Sequence, residues 1–126
     1  MKITYLFAVF FISGCVSSPI VVDSSVPVMI APSGSDDLCG GVGIVIGNDR
    51  QHYSIHKKPE RNAQEVIAVS SGSRLLLCDS VDGWYGVVVL KKGTNCISES
   101  VSERQKYMGP CVSGWIEKSV VRFFAG

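Results

Sequence analysis

The chain has 126 residues, with 12 Lys and Arg against 11 Asp and Glu and a formal charge of +1. No basic run suits a nucleic acid and no acidic block suits a solvated tail; Lys57, Lys58 and Arg61 form a small cluster that reads as a solvated loop. There is room for one domain, and a domain of this size buries only about two thirds of its unfolded surface, so covalent staples are expected.

Lys2 opens the chain with a positive charge, and Ile3 to Ile12 is apolar except for Thr4. A membrane span needs roughly 20 apolar residues, and this run is about half that. A processed signal is therefore the reading, with an ordinary secretory signal cleaved nearby as the alternative. Ile12-Ser13-Gly14-Cys15 sets an aliphatic residue and two small ones before a cysteine. This resembles the lipobox of bacterial lipoproteins. The resemblance implies a signal peptide over 1–14, cleavage before Cys15, and acylation, including palmitate, of its sulfur and new amino terminus. Each buried methylene contributes ~0.8 kcal/mol, so two or three chains anchor stably where one does not. Val16 follows the cysteine in place of the Asp that often marks inner-membrane retention. By the same resemblance, the expected location is the outer membrane, facing the periplasm.

Residues 15–38 hold several serines and Pro19, Pro27 and Pro32, and end in Ser33-Gly-Ser-Asp-Asp37 and Leu38. Prolines block helix and serines dilute any core, so this reads as a tether, spanning ~25–30 Å as a flexible coil. Ile20 to Val22 and Val26 to Ile30 are more apolar than a tether requires. They leave open an edge strand or a rest on lipid headgroups.

Residues 39–126 form the expected domain, and its grammar is β. Gly41 to Ile46 mixes glycine with branched residues, Gly47-Asn-Asp49 turns, and Tyr53-Ser-Ile-His56 alternates apolar and polar. A loop over 57–63 leads to a strand at Glu65 to Val69, a turn at 70–73, and a strand at Arg74 to Cys78. Another turn at 79–83 precedes a valine-rich strand at Trp84 to Leu90, and Lys91-Lys-Gly-Thr94 turns again. Trp115-Ile116 and Val120 to Phe124 close the chain as short strands. Many short strands with turns between them indicate a small barrel or sandwich. Ile97 to Met108 breaks the pattern, and its Ile97, Val101 and Tyr107 suit one short amphipathic turn.

Four cysteines besides Cys15 in an exported domain read as two disulfides. Of the three pairings, Cys96–Cys111 and Cys39–Cys78 are favoured. The first closes a short loop that pins the excursion at its base. The second ties the domain's entrance to a central strand. Zinc is disfavoured, because no two of these cysteines have the two-to-four spacing of a zinc knuckle.

Residues 53–121 resemble a bacterial SH3 domain. The residues that carry the likeness are Tyr53-Ser-Ile55 with Pro59, Val66-Ile67 with Gly72 and Leu75 to Leu77, Gly83-Trp84-Tyr85-Gly-Val87, and Gly114-Trp115-Ile116 with Val120-Val121. The resemblance implies an all-β, SH3-like barrel of about five strands, here with a long disulfide-pinned insertion between Leu90 and Ser113. It also implies binding through an aromatic groove rather than catalysis. Trp84 is the leading groove residue, since an indole offers a broad apolar face and one N–H donor. Tyr85, Trp115 and Tyr107 are further candidates, with burial in the core as the competing role. Val87, Ile116 and Val121 are assigned to the core. Val120 stands where the family often has a groove tyrosine.

No enzymatic constellation emerges. His52 and His56 on one strand would lie about 13 Å apart, too far to share a metal. Ser54 lacks a nucleophile elbow, and an exported domain with four cysteines is expected to oxidise them rather than keep one as a thiolate. Cys39-Gly-Gly-Val-Gly43 lacks the Lys-Ser/Thr that grips phosphate. No cofactor and no metal is expected. The expected function is a non-catalytic, lipid-anchored binding module for an envelope protein or peptidoglycan. The alternatives are an inhibitor or immunity protein of an envelope enzyme, a structural part of an envelope assembly, and a cell-wall hydrolase.

Overall fold

The computed structural model describes residues 14, 25–31, 39–97 and 101–125. The expected signal segment (Gly14 apart), Cys15, most of the expected tether and residues 98–100 of the excursion lie outside the described residues.

Among the described residues the protein is all-β, with one short 3-10 turn at Lys118–Val120. The strands are β1 (Met29–Ile30), β2 (Val42–Val45), β3 (His52–His56), β4 (Glu65–Ser70), β5 (Arg74–Val81), β6 (Trp84–Val89), β7 (Gln105–Lys106), β8 (Ser113–Glu117) and β9 (Val121–Ala125). Seven of them form one antiparallel sheet in the order β4-β3-β8-β6-β5-β2-β9, while β1 and β7 pair separately. Pairing does not close the large sheet, so β4 and β9 are its edges. It holds more strands than the five expected.

The strands form where sequence alternation favours them. In β5, Leu75 and Leu77 point inward and are buried, while Leu76 and Cys78 are half-buried on the other face. β6 follows through a tight turn whose Gly83 has φ +79°, a backbone region open to glycine and costly for residues with a Cβ. The inner core gathers Val45, Ile55, Val69, Leu75, Leu77, Val87, Ile116 and Val121, so every strand of the large sheet contributes. Laid flat, β4 and β9 would stand about 29 Å apart at a spacing of ~4.8 Å. For Val69 and Val121 to share one core, the sheet curls around it. The three residues assigned to the core, Val87, Ile116 and Val121, are all there.

Both favoured disulfides are present, Cys39–Cys78 and Cys96–Cys111. They frame a second layer on the outer face of β5, β6 and β8. Ile30, Cys39 and Val101 form its small core, with Leu76, Cys78, Ile97 and Tyr107 packed against them. Residues 25–31, expected to be tether, are an arm docked on the domain. Val28 and Ile30 are buried, and β1 pairs with β7 of the excursion. Of the two roles left open for Val26 to Ile30, the strand is the one observed.

Hydrogen bonds hold the arm along its length. The Val26 N–H donates to Lys57 O (2.9 Å) and the Tyr107 N–H to Val28 O (2.8 Å). The Met29 N–H donates to Asp79 Oδ2 (3.2 Å) and the Trp115 Nε1–H to Val26 O (2.7 Å). Fixing seven residues costs about 7–14 kcal/mol. Burying two aliphatic side chains returns about 3–6 kcal/mol, and four net hydrogen bonds about 2–6 kcal/mol. These terms nearly cancel, so the arm is held with little net stability of its own.

Candidate functional site

Trp84 and Trp115 lie on the same outer face of the sheet. In the β6–β8 register Trp84 faces Glu117 and Gly86 faces Trp115. Cross-strand partners share a face, and residues two apart on a strand do too. Trp115 is 1% exposed. Its ring lies over Gly86, where a Cβ would come within 3.2 Å of the indole and 2.7 Å of the Asp79 Cβ. Gly114 lets β8 press onto β3, since a Cβ there would meet Ile55 and the His56 carbonyl below 3 Å. With its N–H given to Val26 O, Trp115 has no face left for a ligand. Of the two roles open to it, it takes the structural one.

Trp84 is half-buried at the start of β6. Its ring meets the His56 imidazole edge to face, with centroids 5.5 Å apart at 82°. His56 Nδ1 is 2.9 Å from the Ala63 carbonyl, which fixes the ring against the 57–63 loop. The other side of Trp84 opens on a hollow of about 380 Å³ lined by Arg61, Gly83, Trp84, Glu117, Lys118 and Ser119. Arg61 Nε donates to Glu117 Oε1 at 2.5 Å across this hollow. The Lys118 N–H donates to Gly83 O (2.9 Å), joining the β5–β6 turn to the 3-10 turn. Three elements distant in sequence thus converge: the 57–63 loop, the Asp82-Gly83 turn and the 3-10 turn. Chemically the hollow combines an indole face and a guanidinium–carboxylate pair. It can stack on a ring or pyrrolidine while exchanging hydrogen bonds with hydroxyl, amide or carboxylate groups.

The other candidates lie elsewhere. Tyr85 is on the opposite face from Trp84, packed on the inner core with the Lys118 ammonium 5.0 Å from its ring centroid. Tyr107 holds the excursion together. Its hydroxyl donates to Cys96 O (2.7 Å) and accepts the Cys111 N–H (3.1 Å), bridging the two disulfide-linked ends. Among the described residues, none of the excursion lines the Trp84 hollow. Val120 is half-buried against the inner core and presents no ring. The Ser54 hydroxyl donates to Glu65 at 2.6 Å rather than to a histidine. Among the described residues, no three of His, Cys, Asp and Glu gather as metal ligands.

Three members of the hollow were not singled out by sequence reasoning: Glu117, Lys118 and Ser119. Arg61 was read as part of a solvated loop. Glu117 faces Trp84 only through the strand register, and no local spacing signals it. No family model, curated protein or solved structure matches this chain.

Proposed function

We propose that the protein is a lipid-anchored, non-catalytic binding module of the bacterial envelope, held at the outer membrane through Cys15 and facing the periplasm. Its curled sheet is read as an open variant of the SH3-like barrel. In this reading β2 is the first barrel strand and the β3–β4 hairpin is the long first loop. β5, β6 and β8 form the central meander, and the 3-10 turn leads into β9, which pairs back with β2. The two disulfides suit an oxidising compartment.

The observation that carries the binding reading is the hollow at Trp84, where the 57–63 loop, the β5–β6 turn and the 3-10 turn meet beside a half-exposed indole. Its size suits a sugar residue or two or three amino acids, and its mixed charges suit an amphoteric ligand. A peptidoglycan fragment has both characters. The cell wall is the first reading, and an envelope protein partner the second.

The test is pelleting of the unacylated chain (residues 16–126) with purified sacculi, comparing the native sequence with Trp84→Ala. Residues 25–31 must be retained because they dock on the domain. Saturable pelleting lost in the variant supports the reading. No pelleting of either protein rejects the cell-wall ligand and turns the search to pull-down of a protein partner.

A further inference from the structure

We infer that the groove under the arm is a docking site for an extended segment of a partner protein, and that residues 25–31 fill it in cis as an exchangeable strand. The occupant it fits is an extended chain with aliphatic side chains two apart and a proline just before the first. This groove is separate from the Trp84 hollow and does not depend on what that hollow binds.

The first observation is how the groove holds the arm. On the arm's side the hydrogen bonds use main-chain groups, the N–H of Val26 and Met29 and the carbonyls of Val26 and Val28. The groove supplies the Lys57 carbonyl, the Tyr107 N–H, the Asp79 carboxylate and the Trp115 indole N–H. β7 adds its pairing with β1. Val28 and Ile30 are 3% and 5% exposed, with Met29 half-buried between them. Pro27 has no N–H and so leaves none unpaired. Main-chain pairing with pockets for alternate side chains is the mode by which a fold takes up a foreign strand. Such a groove reads the pattern, and any segment that carries the pattern fits it.

The second observation is that the groove walls have supports of their own. Asp79 is held by the Ser80 N–H (2.8 Å) and lies 3.5 Å from Arg104 Nη2. Trp115 packs over Gly86. The Cys96–Cys111 bridge and the Tyr107 hydroxyl fasten the excursion that carries β7. The Cys39–Cys78 bridge fastens the chain after the arm, so the arm can leave without unravelling β2. The third is the near balance between the arm's ordering cost and its contacts. Joined to Cys39 through residues 32–38, the arm competes at an effective concentration of the millimolar order. A free segment with the same contacts displaces it near that concentration. A partner segment held close by a second contact displaces it below that.

The experiment follows N–H signals by nuclear magnetic resonance in the isotope-labelled, unacylated chain (residues 16–126). The probe is an unlabelled peptide with the sequence of residues 23–33. Half of the arm should be displaced at about 1 mM peptide. The Val26, Met29 and Ile30 N–H signals then move to unstructured positions. The Trp115 Nε1–H signal keeps its bonded position, because a peptide carbonyl replaces that of Val26. Val28→Ser and, independently, Ile30→Ser in the chain weaken the arm and should lower the peptide needed by at least about ten-fold. A peptide carrying both substitutions should displace nothing. Arm signals that stay in place in the native chain and both variants at several times the millimolar level overturn the inference. So does a Trp115 Nε1–H that loses its bonded position as the arm leaves. A concentration-dependent dimer of the native chain with exchanged arms, seen by sedimentation, replaces the partner with a second copy and also overturns it.

Discussion

The Gly83-Trp84 corner and the Gly114-Trp115 step share a dipeptide and a face of the sheet, yet one indole is enclosed and the other opens on a hollow. The difference does not arise in the strands that carry them. It arises from what lies above each ring. Over Trp115 the arm supplies a carbonyl for the indole N–H, and the ring is buried. Beside Trp84 there is a histidine edge and a partly exposed ion pair. A tryptophan on a sheet face becomes core or site according to whether another segment covers it.

The sharpest contrast is between alanine variants of the two rings. Trp115→Ala should cost about 3–5 kcal/mol in urea unfolding, at the upper end because it also strands the Val26 carbonyl. Trp84→Ala should cost about 1 kcal/mol or less while abolishing ligand binding. Similar stability losses for both would end the distinction.

Next come the disulfides that frame the covering layer. Serine at both Cys39 and Cys78 should cost about 4 kcal/mol, and serine at both Cys96 and Cys111 about 3 kcal/mol, following the lengths of the loops they close. Calorimetry of the two double variants checks the order.

Gly86→Ala attacks the socket of Trp115 directly, because the new methyl would meet Asp79 and the indole. A loss of about 1–3 kcal/mol is expected, with a shift of the buried indole's emission.

Asp79→Ala removes the acceptor of the Met29 N–H and the partner of Arg104. It should cost about 1–2 kcal/mol and speed hydrogen exchange at Met29 and Ile30, leaving the inner core protected.

Smallest in stability is Arg61→Ala, within about 0.5 kcal/mol of the native protein, since its pair with Glu117 is a surface ion pair. Its effect should appear instead as weaker binding at the Trp84 hollow, measured by sacculus pelleting.

The inner core was the legible part of the fold. Alternation in Arg74 to Cys78 and the valine run after Trp84 place β5 and β6 within a few residues of their observed ends. The spacing of Cys96 and Cys111 marks the base of the excursion, and both bridges follow the favoured pairing. The arm was legible only as an anomaly. Val28 and Ile30 sit between Pro27 and Pro32, a composition that says tether, and the residues that bond the arm, Asp79 to Met29, Tyr107 to Val28 and Trp115 to Val26, are 50 to 89 residues away. That non-local contact also decided the role of Trp115, which no local pattern distinguishes from Trp84. At the candidate site, the partial exposure of Trp84 was legible from its place right after the Asp82-Gly83 turn. Arg61, Glu117 and Lys118 were not, because a sheet register and a loop conformation bring them together.

The most direct test is a fluorescence titration with soluble peptidoglycan fragments, run on the native chain and on Trp84→Phe. The account predicts a saturable change in emission in the native protein and none in the variant, because the remaining Trp115 lies under the arm. A change that persists in Trp84→Phe would place the ligand elsewhere, and no change in either protein would contradict a cell-wall ligand at this hollow.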